Sequence, residues 1–165
     1  MATAPQTCTI NTPNAPAFLK LLRWLENYPD DTDADYKRMF GGSSFSDFSK
    51  HPNQQNTRWN KTSTAAGAYM ILYNTWNDGV KKGIVADFTP ASQDQLAWWL
   101  IGRRQALAAV CGGRNMLDVA FALLRPEWSS LPGASQNLVS VQAAKSRYET
   151  YLLQATQPMP PGATP

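Results

Sequence analysis

The sequence predicts an α+β fold, a mainly helical body interrupted early by one small β-containing lobe. Three observations carry this reading. Residues 18–25 are apolar at helical spacing. Residues 29–66 lose that period and are rich in Asp, Ser, Asn, Gly and Thr, with short aromatic patches. From Tyr69 onward helical patterns return. A cleft where such a lobe meets a helical body is a candidate ligand site.

The first helix is expected from Ala15 to Tyr28, because Phe18, Leu21, Leu22 and Leu25 repeat at i, i+3, i+4 and i+7 and Pro29 cannot continue it. Residues 29–66 read as loops and a small irregular sheet. A short helix follows over Asn74–Lys82. Thr89-Pro90 supplies an N-cap and first-turn proline for a helix running through "ASQDQLAWWLIGRRQALAAV". "VCGGRN" reads as a turn between helices, "MLDVAFALL" as a helix stopped near Pro126, and "NLVSVQAAKSRYETYLLQA" as a final amphipathic helix. Residues 1–14 are expected to be a loose N-terminal arm, 15–155 one domain, and 156–165 a flexible proline-rich tail. There is no internal repeat.

A chain of 165 residues, 43% hydrophobic and with six Trp, six Tyr and six Phe, is long enough to bury one substantial core. Its net charge of +3, without a concentrated Lys/Arg stripe, argues against a nucleic-acid partner. The N-terminus shows no basic region followed by an apolar one, and the runs "AYMILY" and "LAWWLI" are too short to span a bilayer. No stable membrane association is therefore expected. Cys8 and Cys111 are expected to be free thiols, as in a protein made in the cytosol.

The chemistry narrows by elimination. One histidine, His51, and two distant cysteines do not make a zinc set, so neither metal nor cofactor is expected. His51, just before Pro52, reads as structural, with no nucleophile-elbow motif to give it a serine partner. "FGGSS" and "VCGGRN" lack the lysine of a phosphate-binding loop. Of the three glutamates, Glu149 sits among polar neighbours and Glu127 follows Pro126 at a helix start. Glu26 differs: at about 100° per residue it projects between Leu19 and Leu22, at the edge of the apolar stripe. A carboxyl half-desolvated there has a raised pKa, which suits a general acid, although a glutamate can also merely pass the leucines to reach water.

Five motifs in order, "FLKLLRWLENY", "YKRMFGGSSFSDFSKHP", "STAAGAYMILYNTWND", "DFTPASQDQLA" and "WSSLPGAS", resemble the phage lambda-type lysozyme family of lambdoid endolysins over residues 16–153. The most specific piece spans Gly41, Gly42, Phe45, Asp47, Phe48, Ser49, His51 and Pro52. The resemblance implies a lysozyme-like catalytic domain with a glycan cleft between body and lobe, and a catalytic glutamate at the end of the first helix, matching Glu26. It implies a lytic transglycosylase that cuts peptidoglycan strands between N-acetylmuramic acid and N-acetylglucosamine and leaves a 1,6-anhydro ring. Such an enzyme needs only one carboxyl, since the sugar's own 6-hydroxyl attacks. A monomer is expected, held in the host cytoplasm until a holin releases it to act on the wall in the periplasm.

Around Glu26, the candidate substrate contacts are Tyr36, Phe45 and Tyr69 as stacking platforms or lobe core, Asp47 and Ser49 as glycan contacts or an Asx turn, and Ser63 and Thr64 as glycan contacts or turn caps. Two other readings stand beside the first. One is a hydrolytic muramidase using Glu26 with Asp47 or a positioned water. The other is an inactive glycan-binding or virion structural module. The chain departs from the family pattern at Asn27, Tyr28 and Met70, and in "SQNLVS" after "LPGA".

Overall fold

The computed structural model describes residues 8–157. The helical body is built on α1 (Asn14–Glu26), whose Phe18, Leu21, Leu22 and Leu25 are all buried as the periodicity requires. The helix stops two residues before the expected Tyr28. Asn27 leaves helical dihedrals (φ −118°, ψ 13°), and its N–H makes the last helical bond, to the Arg23 carbonyl at 3.1 Å. Against α1 pack α3 (Pro90–Arg103), α4 (Leu107–Cys111) and α6 (Val141–Thr156), with α2 (Tyr73–Lys81) and α5 (Leu117–Leu124) completing the body.

One predicted helix is two. The run from Pro90 breaks after Arg103 because Gln105 adopts a left-handed φ of +58°. Its N–H bonds the Gly102 carbonyl at 2.9 Å and the next N–H, of Ala106, bonds Ile101 at 3.0 Å, the paired reverse bonds of a Schellman end. Glutamine gives no warning of this, where glycine would have. α6 begins at Val141, later than "NLVSV" suggests, because the Ser140 hydroxyl accepts the Ala143 N–H and caps the helix there. "GRNM" forms a 3-10 turn, as a connector between helices should.

The small lobe contains an antiparallel hairpin, β1 (Asn56–Arg58) and β2 (Lys61–Ser63), in the register Asn56 opposite Ser63. Trp59 and Asn60 turn it with φ of +51° and +57°, the twist that suits a two-residue hairpin loop. Single bridges from Met39 to Ala66 and from Ala66 to Ile71 tie the lobe together. His51 is structural: Nδ1 accepts the Asn53 N–H at 3.0 Å, so Nε2 carries the proton and donates to the Ile71 carbonyl at 2.8 Å. Burial against Phe88, at 4.7 Å between ring centroids, lowers its pKa.

The aspartates after α1 hold the lobe to the body. Asp31 and Asp33 each lie 3.4 Å from the buried guanidinium of Arg23, while Asp30 and Asp35 meet Arg38 at 2.6 and 3.3 Å. Tyr151 of α6 donates to Asp31 at 2.6 Å.

The expected free thiols are a disulfide. Cys8 and Cys111 are bridged with a Cα separation of 6.1 Å, fastening the described part of the N-terminal arm to the end of α4. Beside it, the Asn14 amide donates to the Cys111 carbonyl at 2.6 Å. The spacing of two distant cysteines gave no sign that the fold joins them. The proline-rich tail from 158 onward lies outside the described residues. A bridge across 103 residues removes much unfolded-state entropy. Reducing it, or Cys8→Ser, should therefore lower stability by roughly 2–5 kcal/mol, read as a drop in thermal midpoint on adding reductant; an unchanged midpoint would contradict the bridge.

Candidate active site

The last residue of α1 is Glu26. Unlike the other two glutamates, it has no cationic partner among the described residues: Glu127 pairs with Arg104 at 2.8 Å and Arg103 at 3.3 Å, and Glu149 pairs with Arg114. Its partner is the hydroxyl of Ser130, which donates to Oε1 from the segment between α5 and α6. Burial of the carboxyl pushes its pKa up to about 7, and the Ser130 hydroxyl and backbone, which favour the charged form, only partly oppose this. Half of such groups carry a proton at neutral pH, the condition in which one carboxyl can donate a proton and afterwards accept one.

What holds Glu26 is a short strip of backbone, Gly67–Tyr69. The Asn27 side chain, 3% exposed, donates both to Arg23 at the end of α1 (2.9 Å) and to the Ala68 carbonyl (2.8 Å). Trp128 donates through its indole to the Tyr69 carbonyl at 3.0 Å, two residues before Ser130. Gln93 of α3 accepts the Ala68 N–H at 2.8 Å and donates to the carbonyls of Tyr36 and Phe88 at 3.0 and 2.9 Å. Gly67 has φ +76°, and a Cβ there would stand 2.2 Å from the Gln93 oxygen, so only glycine lets the glutamine approach. The residues flanking the carboxyl and the residues leading to its hydrogen-bond donor are thus pinned to adjacent carbonyls.

Beside this strip lies a carboxylate that sequence reasoning passed over. Asp94 accepts the phenolic protons of Tyr36 at 2.7 Å and Tyr69 at 2.6 Å. Burial raises its pKa, which the two tyrosines oppose; burial in turn pushes Tyr36 up to about 12. Both phenols bond the same oxygen, Oδ1, so the carboxylate anchors the two rings through that atom.

The structure redistributes the other candidates. Tyr69 is 1% exposed with its phenol bound, which is the core alternative of the two open for it. Tyr36 is partly buried and meets Tyr69 edge-on at 6.5 Å. Phe45 packs on Phe48 and Phe88 at 5.5 and 5.8 Å, inside the lobe. Asp47 accepts the Ser49 N–H at 2.8 Å, the Asx turn, and the Ser49 bonds hold its pKa down at an exposed position. Ser63 accepts the Ala65 N–H at 3.0 Å within a local turn, while Thr64 accepts the N–H of Tyr73 at 3.1 Å, at the start of α2 nine residues on. Sequence reasoning missed Ser130, Asn27, Trp128, Gln93 and Asp94 as parts of the site. The signal was present for some: Trp128 and Ser130 lie in "WSSLPGAS", and Gln93 and Asp94 in "DFTPASQDQLA".

The chain is similar to known proteins over most of its length. Residues 16–154 match the family model described as Endolysin. The chain is 36% identical over 140 residues to the endolysin of Escherichia phage P2, covering 76% of this chain and 84% of that one. It is 36% identical over 125 residues to the endolysin of Escherichia phage lambda, covering 72% and 77%. Bacteriophage lambda lysozyme, solved in complex with a chitohexasaccharide, superposes with a TM-score of 0.73 at 28% identity over 92% of this chain and 97% of that one. A second structure of lysozyme from bacteriophage lambda gives 0.68 at 26% identity, over 94% and 97%.

The raised pKa of Glu26 has a thermodynamic signature. An unfolded glutamate ionises near 4.5 and the folded one near 7, so the native state binds the extra proton between them and stability falls as pH rises through that window. Glu26→Gln removes this loss. The variant should melt above the wild type at pH 8, by about 2–3 kcal/mol after allowing for the partial exposure of the residue, with the gap closing below pH 4.5. A gap independent of pH in chemical or thermal melts would contradict burial of the carboxyl.

Proposed function

This chain belongs to the endolysin family, phage enzymes that degrade peptidoglycan, and we propose that it works as a lytic transglycosylase with Glu26 as its single acid and base. The observation that carries the proposal is the Glu26 carboxyl itself, desolvated, free of any cation among the described residues and titrating near neutrality.

The protonated carboxyl gives its proton to the glycosidic oxygen between N-acetylmuramic acid and N-acetylglucosamine as the bond from that oxygen to the anomeric carbon breaks. The 6-hydroxyl of the same muramic acid attacks that carbon, and the carboxylate takes the hydroxyl proton. The proton count closes: Glu26 ends as it began, no water is consumed, and the product carries a 1,6-anhydro ring. A hydrolase of the usual type needs a second carboxylate as nucleophile or as base for water. Here Asp47 is tied into its turn and Asp94 into its pair of tyrosines, which supports the single-carboxyl route. Ser130 favours the ionised form that must take up the second proton. The enzyme acts as a monomer on glycan strands of the cell wall, reaching the periplasm from the host cytoplasm after a holin opens the inner membrane.

Digestion of purified sacculi followed by mass spectrometry separates the chemistries. Anhydro-muropeptides, one water lighter than hydrolytic products, are expected; reducing ends throughout would establish a muramidase instead. Glu26→Gln should lose about 10²–10⁴-fold in lysis of outer-membrane-permeabilised Gram-negative cells. A wild type that binds peptidoglycan without cleaving it would point to a binding module.

A further inference from the structure

On α1, Trp24 lies two residues before Glu26, which is 200° of helical rotation and so nearly the opposite face. There the structure opens a groove of about 470 Å³, walled by Trp24 and Tyr28, by the segment Leu138–Ser140 and by the first half of α6. Glu26 does not line it, and three of its features point to a ligand. The guanidinium of Arg147 lies over Trp24, 4.6 Å from the ring centroid, and has no carboxylate within ion-pair distance among the described residues. The nearby Asp31 is engaged with Arg23 and Tyr151. The buried indole N–H of Trp24, a wall of the groove, has no acceptor. Tyr28 and Leu138, 44% and 77% exposed, add apolar surface at the rim.

We propose that this groove binds a free carboxylate of the peptide stem that peptidoglycan carries on its muramic acid. The proposal rests on peptidoglycan being the substrate, not on the transglycosylase route. An unpaired guanidinium held over a ring selects a carboxylate, which it meets with two parallel hydrogen bonds. The disaccharide repeat itself carries no charge beyond the stem, so charge complementarity chooses the peptide over the sugar. Reach is sufficient. The path around half of a helix about 10–12 Å across is about 16–19 Å, and a stem of four residues, about 13 Å, is lengthened to roughly 18 Å by the lactyl ether that joins it to the sugar and by its side-chain-linked glutamate. A stem on a sugar bound at Glu26 can therefore pass around the end of α1 by way of Tyr28. That residue, a departure from the family pattern in sequence, becomes a wall of the groove.

The test uses the full chain carrying Glu26→Gln, so that ligands are bound and not cut. Calorimetry compares a disaccharide bearing the tetrapeptide with the same disaccharide lacking it, and NMR follows the indole N–H of Trp24. The peptide-bearing ligand should bind about tenfold more tightly and shift the Trp24 signal. Adding Arg147→Gln, or amidating the peptide carboxylates, should remove both effects, with a thermal melt confirming that the variant is folded. Equal affinity for the two ligands, or a Trp24 shift caused by the sugar alone, would overturn the peptide site while leaving the substrate reading intact. Failure of either ligand to bind would count against the substrate reading and this proposal together.

Discussion

Two consecutive carbonyls, of Ala68 and Tyr69, are the constraint on which the site depends. One receives the Asn27 amide and the other the Trp128 indole, so the end of α1 and the segment carrying Ser130 are referred to the same piece of backbone. Each such bond contributes only about 1 kcal/mol, but leaving a buried carbonyl unpaired costs about 1–3 kcal/mol, so the arrangement is held more by the penalty for breaking it than by the gain in making it. Gln93 ties the same strip to α3, and the glycine beside it keeps the space open. The lobe and the body are therefore locked at the point where the carboxyl and its hydroxyl partner must meet.

Two opposing effects then set the proton affinity of Glu26. Desolvation disfavours its charge, while the hydroxyl and backbone of Ser130 favour it. Were the hydroxyl replaced by a guanidinium, the carboxylate would be held ionised and useless as an acid. The acidic run that follows α1 supplies stability without touching this balance, because its charge is taken up by Arg23 and Arg38.

Most of the helical body was legible in the sequence because its signals are local: a 3.6-residue period in α1, a proline after Thr89, an amphipathic tail in α6. The misses have local causes too. The break after Arg103 uses a glutamine in a left-handed conformation, where sequence reading looks for glycine. The place of Glu26 beside the leucines marked it as a candidate acid, and the family resemblance supplied its proposed role. Its surroundings were not legible, since Asn27, Gln93, Asp94, Trp128 and Ser130 come together only across long sequence separations, and each by itself is an ordinary polar residue. The aromatic residues were legible only as a pair of alternatives. Tyr69 has the composition of a sugar platform, but the fold spends its ring on the core and its hydroxyl on Asp94. Asn27, a departure from the family pattern in sequence, is in three dimensions the bolt that fastens the helix end.

The account stands on a carboxyl that is both held and half-protonated at neutral pH. The most direct measurement is NMR titration of the ¹³C-labelled Glu26 carboxyl in the folded protein, with Asn27→Ala beside it. A midpoint near 7 in the wild type is expected, moving down towards 4.5 in the variant as water reaches the loosened helix end. A wild-type midpoint near 4.5 would mean that Glu26 is an ordinary solvated carboxylate and would contradict the account at its centre.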